Sequence, residues 1–509
     1  MMVGTVPTSV PQFILLGNWL MEGEYKRKWD QVKNNKLFWV LSSLFLIHVI
    51  GLLYTSDINA GLDDIRIKMP LMFLPLIFFT SSPLSKKEFH AVLYFFLAGS
   101  LINVSWCYIY TFVLHKNETV RSASRFMSHI RLGLYLNVAI SSCVYFIFIN
   151  QKLLLKIIFG LLICVYLFSM YALGLASGIA NFFILLFITI CYLIYKQNVK
   201  MKLVLLTVLI AFLFIIGNYV LSVYNSHVKV NPIPYNSILE RNINGRLYSH
   251  IDSLGEQKEN GNLVMINVQW EELEREWNRR CPDDSFTYVP QRNLKRFDIL
   301  LRYLTSKTLT KDSAGVWQLT NEDITNIRKN VPNYKASEWS YLHRRLYEII
   351  YEYEELKHRN DINGHSLTMR PYFWKAALHV INNNLIFGVG TGDVQNELNK
   401  AYVETNSPLS KNWYKRPHNQ FITVTVALGV IGFFILFISL VWPLIYLRRF
   451  FHVLYRPFFV LAVLSFMLED TLESQAGLTF FAFFTALFMA EAYYKKEGIL
   501  VKTLRNPVD

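Results

Sequence analysis

The hydrophobic residues of the 509-residue chain form ten long apolar segments, which alternate with short polar connections. The segments cover residues of about 37–54, 66–81, 89–114, 130–149, 153–173, 175–195, 202–221, 419–447, 452–468 and 475–491. Because a helix needs about 20 residues to cross the hydrocarbon core of a bilayer, the pattern predicts about ten transmembrane helices (10–12). The second segment is the weakest prediction because it is short and contains Pro70 and Pro75.

One long polar interval, residues 222–418, precedes the last three apolar segments. It contains more than half of the acidic residues and includes stretches with helical spacing of apolar side chains, such as 338–358. The chain is therefore expected to be an all-α polytopic membrane protein with a large, mostly helical loop domain. The predicted parts are 1–221 with about seven membrane helices, the loop domain 222–418, 419–491 with about three membrane helices, and the tail 492–509.

Lysine and arginine residues are concentrated in alternate connections between the apolar segments, including 23–36 and the pairs Lys86–Lys87 and Lys495–Lys496. Short loops rich in these residues stay on the cytoplasmic side of a membrane. The distribution predicts that both termini are cytoplasmic and that residues 222–418 lie on the opposite side.

Composition supports a membrane protein and narrows the possible partners. Apolar residues make up 53% of the chain and charged residues only 17%, whereas soluble proteins carry about 25% charged residues. The net charge of +14 could suggest nucleic acid, but the basic residues lie beside apolar segments, as membrane anchors do. Membrane lipid is therefore the expected partner, and nucleic acid is not.

Candidate chemistry is concentrated where the chain returns to the membrane after the polar interval. Arg416, Pro417, His418 and Asn419 stand there, and His418 is a side chain that can exchange a proton near neutral pH. An alternative interpretation is an interfacial anchor before an ordinary helix. Gly429 and Gly432 lie three residues apart on one face of the following helix, which would allow a neighbour to approach closely.

The spacing of His418-Asn419, Gly429 and Gly432 resembles the signature of O-antigen ligases and related bacterial oligosaccharide transferases, the Wzy-C superfamily. Arg370, the glycine-rich segment 384–390 and the segment 473–477 are also similar to that superfamily. The resemblance implies a glycosyltransferase of lipopolysaccharide biosynthesis in the bacterial inner (cytoplasmic) membrane, with a periplasmic active site. It would move a glycan from a polyprenyl (undecaprenyl) diphosphate donor to an acceptor hydroxyl, usually of the lipid A–core oligosaccharide. It would work with inversion, without a metal and without a cofactor.

The resemblance assigns the catalytic roles to His418 and Arg370, where the arginine contacts the donor diphosphate. Related sequences often carry a Ser-Arg-Gly-like turn, but this chain has Ser177-Gly178 without the arginine, so another cation must replace it. The substrate-binding candidates are Arg131, Arg125, His129, Arg241, Arg246, Arg416 and Asn419. Arg131 is the preferred candidate for this replacement because it stands at the very start of a predicted helix.

The glycine-rich turn 388–393 is expected to cap the preceding helix, and its N–H groups could also cradle an anion. Several other functions remain open. An O-antigen or polysaccharide polymerase and a protein O-oligosaccharyltransferase share the donor chemistry but use a different glycan or protein acceptor. A transporter or a non-catalytic envelope assembly protein is a more distant alternative. A metal site at Asp63-Asp64 is disfavoured because adjacent carboxylates on a helix point in different directions.

Overall fold

The computed structural model describes residues 5–114, 127–229, 238–249, 257–287, 295–358, 362–448 and 450–498. Regular structure in these ranges is almost entirely helical, which confirms the predicted all-α membrane fold. The chain divides into two compact units, of which the first contains Met1–Leu193 and Arg370–Asp509 and the second Ile194–Met369. This division follows packing, so the four-part topology expected from the sequence stays a prediction.

The first unit contains the helices that the sequence assigned to the membrane, except for the helix Val199–Val228. Its helices are α1 (Thr5–Met21), α2 (Tyr25–Lys33), α3 (Lys36–Gly51), α4 (Ile58–Lys68), α5 (Pro70–Thr80), α6 (Lys86–Tyr108), α7 (His129–Ile149), α8 (Leu153–Ala172), α9 (Ala176–Lys196), α16 (Arg370–Asn383), α17 (Val394–Glu404), α18 (Gln420–Leu447), α19 (Tyr455–Leu468) and α20 (Gln475–Lys496). The unit boundary falls inside α9.

All ten predicted apolar segments are helical, and eight helices of the described chain are long and apolar enough to cross a membrane. The two shorter ones are α5, with 11 residues, and α19, with 14 residues. Helix α5 follows α4 after a single residue, Met69, which itself has helical backbone angles. Pro70 has no N–H group, so the hydrogen-bond ladder is interrupted there and the weak second segment becomes a pair of short helices.

Helix α20 lies at the centre of the first unit and packs against α5, α7, α18 and α19. Its apolar stretch is 83% buried, the highest share among the eight long helices. Rings of Phe480, Phe484 and Phe488 contact the ring of Phe458 on α19 at centroid distances of 5.6–5.8 Å. The start of α20 is therefore held in a packed core, and the loop before it is anchored at this end.

Helix α18 is not a regular helix throughout, because Gly429 has φ +64° and ψ −164°. The segment 385–390 pairs with it at this break: Val389 N–H donates to Val426 O (3.0 Å) and Val430 N–H to Leu385 O (2.9 Å). A Cβ atom on Gly429 would lie 2.1 Å from Ile386 O. The neighbour that approaches this glycine closely is thus the turn segment 385–390.

The second unit is mostly helical, as expected for the polar interval. It contains α10 (Val199–Val228), the hairpin β1 (Lys258–Glu259) and β2 (Asn262–Leu263), α11 (Trp270–Arg280), α12 (Lys295–Ser306), α13 (Ser313–Gln318), α14 (Asn321–Arg328) and α15 (Tyr341–His358). Its apolar core surrounds Trp277, Leu300 and Leu304. The short antiparallel hairpin was not anticipated, and buried Glu259 on β1 accepts a hydrogen bond from Arg302 (2.8 Å).

Candidate functional site

His418 stands immediately before α18 in a strained backbone conformation, with φ +50°. Buried Asp470 holds it there, because its carboxylate accepts the N–H groups of His418 (3.0 Å) and Asn419 (3.1 Å) and the hydroxyl of Thr423 (2.6 Å). Burial raises the pKa of Asp470, although the hydrogen bond from Thr423 opposes this shift. The carboxylate thus satisfies N–H groups that the start of a helix would otherwise leave unpaired.

Glu469 lies between the two side chains that the sequence singled out for catalysis. Its Oε2 atom is 3.3 Å from His418 Nδ1, and its Oε1 atom is 3.7 Å from Arg370 Nη2. The side chains of Glu469 and Arg370 are largely buried, with 18% and 19% exposed, whereas 37% of the His418 side chain is exposed. An imidazole and a guanidinium therefore share one carboxylate at a partly open surface of the first unit.

Arg370, the first residue of α16, has hydrogen-bonding capacity to spare. Its contact with Glu469, at 3.7 Å, is longer than a hydrogen bond, and its buried Nε atom has no partner among the described residues. Arginine presents its N–H groups as a planar fork that matches carboxylate or phosphate oxygens. The site therefore holds a nearly buried cation whose donors are free to bind an added anion.

Comparison with known families supports the interpretation of this region. Residues 330–438 match the O-antigen ligase family model. The resemblance expected from the sequence is thereby confirmed, and it indicates a membrane enzyme of the glycosyltransferase type. The matched region is about a fifth of the chain and includes Arg370, His418 and Gly429, but it ends before Glu469. No curated protein matches the chain.

Outside the O-antigen ligase match, Arg131 near the start of α7 faces the same acidic loop. It interacts electrostatically with Glu469 and Asp470. One turn further along α7, Tyr135 donates a hydrogen bond to Ala476 O (3.0 Å) on α20. The start of α7 is thus fixed beside the start of α20, which carries Arg131 toward the loop that precedes α20.

The departure from the superfamily pattern at Ser177-Gly178 also lies next to α7. A Cβ atom on Gly133 would lie 2.6 Å from the Cα atom of Gly178, so the two backbones are in direct contact. The side-chain amide of Asn137 donates to both Gly133 O (2.8 Å) and Gly178 O (2.9 Å). Arg131 is two residues from Gly133, and it therefore stands close to the turn from which the arginine is missing.

The other predicted binding residues have different surroundings. Arg416 donates to Glu473 (2.5 Å), and Asn419 caps α18 through Ile422 N–H while its amide donates to Met467 O (3.2 Å). His129 is the first residue of α7. In the second unit, Arg241 donates to Gly245 O (2.8 Å) and Arg246 pairs with Glu271 (3.3 Å). Arg125 lies outside the described residues.

The glycine-rich turn 388–393 does not have the free N–H groups needed to cradle an anion. The N–H groups of Gly388, Val389, Gly390, Thr391 and Gly392 donate, respectively, to Asn384 O, Val426 O, Ala427 O, Gly51 O and Thr55 Oγ1. The turn instead fastens α16 and α17 to α3 and α18. The carboxylate of Asp393 completes this attachment by accepting the N–H groups of Ser56 (2.6 Å) and Asp57 (2.8 Å).

Sequence reasoning gave no role to Glu469 and Asp470, and it noted Glu473 only as part of the superfamily-like segment 473–477. A stronger signal was available, since three carboxylates between two apolar segments need cationic or N–H partners. Within the described ranges, no group of three or more His, Cys, Asp or Glu side chains is arranged to hold a metal ion.

Proposed function

We propose that this protein is an O-antigen ligase-like glycosyltransferase that moves a glycan from a polyprenyl diphosphate to an acceptor hydroxyl. One observation carries the proposal: the Glu469 carboxylate lies 3.3 Å from the His418 imidazole and 3.7 Å from the Arg370 guanidinium. The carboxylate thereby holds a base for the acceptor hydroxyl close to a cation for the leaving diphosphate. The O-antigen ligase match over residues 330–438 supports the same chemistry.

His418 acts as the general base in this proposal. Its Nδ1 atom faces Glu469, and its Nε2 atom makes no hydrogen bond to another described residue. With Nδ1–H donating to the carboxylate, Nε2 is left as the basic nitrogen that accepts the proton of the acceptor hydroxyl. Glu469 orients the ring and stabilises the imidazolium that forms.

A single displacement accounts for every bond that forms or breaks. The acceptor oxygen attacks the anomeric carbon, and its proton passes to His418 Nε2. The bond between the anomeric carbon and the phosphate oxygen breaks, and its electron pair leaves with the polyprenyl diphosphate. Attack opposite to the leaving group inverts the anomeric configuration, which is the outcome we propose.

Arg370 and Arg131 stabilise the charge that develops on the leaving diphosphate. The free donors of Arg370 suit a phosphate oxygen, and two guanidinium groups can supply this stabilisation without a metal ion. Arg131 is the replacement for the missing turn arginine because it faces the acidic loop and stands two residues from the Gly133–Gly178 contact.

We assign the donor to undecaprenyl diphosphate-linked glycan and the acceptor to lipid A–core oligosaccharide, on the periplasmic face of the bacterial inner membrane with both termini cytoplasmic. The alternating Lys/Arg connections support this orientation. The break in α18 favours the transferase over a transporter. Its backbone groups are paired with the segment 385–390, whereas broken helices in transporters leave such groups available for ions.

Substitution of His418 by alanine tests the proposal. In cells that lack the native gene, His418→Ala should insert and accumulate normally but attach no glycan, as judged by gel analysis of lipopolysaccharide. His379→Ala is the matched control, because His379 is an exposed histidine of the same unit that pairs with Glu404 (2.8 Å), and glycan attachment should persist. Normal attachment by His418→Ala would refute the catalytic role.

The gel pattern of the gene deletion separates the acceptors. Loss of the high-molecular-weight ladder with retained core indicates a ligase. A core that carries one repeat unit indicates a polymerase. An unchanged ladder excludes lipopolysaccharide as the product and leaves a protein acceptor to be tested by glycoprotein staining.

A further inference from the structure

Lys68 is a buried cation that neither the apolar pattern nor the superfamily resemblance singled out. It ends α4, and only 1% of its side chain is exposed. Its Nζ atom donates to Asp64 Oδ1 (2.6 Å) on the same helix and to Glu473 Oε2 (3.0 Å) in the loop before α20. A charge that is removed from water in this way is stable only with close partners of opposite sign.

Glu473 connects Lys68 to the segment that carries the proposed base. The same Oε2 atom accepts a hydrogen bond from Arg416 Nη1 (2.5 Å), and Oε1 accepts one from Gln420 Nε2 (3.0 Å). Gln420 in turn accepts the N–H group of Leu472 (2.7 Å). Segment 416–420 and loop 469–474 are therefore joined through Glu473, and His418 and Glu469 stand on these two segments.

This junction depends on an ionised Glu473. Burial alone would raise the pKa of its carboxyl, but the charges of Lys68 and Arg416 bring the pKa well below its usual range. The two cations Lys68 and Arg416 and the two carboxylates Asp64 and Glu473 form a charge-balanced group. Without Lys68, the charges of Asp64 and Glu473 would both have to be compensated by Arg416. Arg416 would then no longer be bound to Glu473 alone.

We propose that Lys68 is a positioning residue for the transfer reaction, which acts by holding Glu473 so that the His418 and Glu469 segments keep their mutual geometry. The inference rests on the proposed function. Lys68 touches neither substrate nor the reacting atoms, and its contribution passes through Glu473 and Arg416. A displacement of about 1 Å between a base and its substrate is enough to slow a reaction by about a hundredfold. The loss should therefore appear in kcat and not in KM.

The test measures glycan transfer by purified variants, with undecaprenyl diphosphate-linked glycan extracted from the native membrane as donor and lipid A–core oligosaccharide as acceptor. Lys68→Met removes the charge while keeping the length of the side chain, and it should lower kcat about a hundredfold with both KM values within about threefold. Arg66→Met is the control, because Arg66 lies on the same helix and pairs with Asp63 at the surface (3.2 Å), and its kcat should not change.

If Lys68→Met does not fold, a second variant still tests the inference. Lys68→Met/Asp64→Asn restores the charge balance and should fold, with kcat about tenfold below wild type because Glu473 keeps Arg416 but loses its second cation. Wild-type kcat per folded molecule in either variant would overturn the inference. Failure of the proposed function itself has a different signature, since the wild-type protein would then transfer no glycan at all.

Discussion

The contact between Glu469 and His418 allows a quantitative prediction for Glu469→Gln, which keeps the shape of the side chain and removes its charge. At 3.3 Å, a unit-charge pair interacts by about 5 kcal/mol when the effective dielectric constant is about 20. Solvent reduces this value because 37% of the His418 side chain is exposed, so about half of it, roughly 2.5 kcal/mol, should remain.

The imidazole is positively charged in the transition state, so this interaction contributes mainly there. Each 1.36 kcal/mol corresponds to a factor of ten in rate, and Glu469→Gln should therefore lower kcat by about 50–100-fold. The KM for the donor should change little, because Arg370 and Arg131 remain. The glutamine can still accept a hydrogen bond from Nδ1–H, so the tautomer of His418 and the fold should be preserved.

The assay is steady-state transfer from purified undecaprenyl diphosphate-linked glycan, with thermal unfolding measured in parallel. Glu404→Gln serves as the control, because Glu404 also pairs with a histidine, His379 (2.8 Å), but at an exposed surface of α17. If Glu469→Gln kept kcat within twofold of wild type while remaining folded, the assignment of Glu469 as the partner of a catalytic imidazolium would be refuted.

Two further predictions concern stability. Gly429→Ala should lower the free energy of unfolding by about 3 kcal/mol or more, because the new Cβ atom would meet Ile386 O at 2.1 Å in a backbone region that suits only glycine. Glu473→Gln should lower it by about 3 kcal/mol at pH 7 by leaving Lys68 and Arg416 undercompensated. Because the pKa of Glu473 is depressed in the folded state, the wild-type advantage is complete above the ordinary pKa of 4.5 and declines as pH falls below it.

Both stability predictions are checked by thermal unfolding in detergent. Gly160→Ala is the control for Gly429→Ala, because no atom of another described residue lies within 4 Å of the Cβ position added on Gly160 in α8. Equal unfolding midpoints for Gly429→Ala and Gly160→Ala would contradict the packing argument. For Glu473, a difference from wild type that grew between pH 5 and pH 3 would contradict the assigned direction of the pKa shift.

Several features of this protein followed from the sequence alone because they depend on local patterns. The ten apolar segments are all helical, since a run of apolar side chains long enough to cross a bilayer must pair its backbone groups internally. Helical spacing likewise placed α15 within the polar interval. The residues Arg370 and His418 were identified by their resemblance to the O-antigen ligase signature, and their region is the one that the family model matches.

Only the tertiary structure identified the partners of those residues. Glu469 is 51 residues from His418 and 99 from Arg370 along the chain, and Lys68 is 405 residues from Glu473. A charge pattern shows that carboxylates need partners, but it does not indicate which cations the packing of helices brings to them. The role of Gly429 was equally hidden, because the break in α18 pairs with the turn segment 385–390, which belongs to a different part of the chain. Local sequence thus specifies the helices, whereas the contacts that complete the site depend on how distant helices pack.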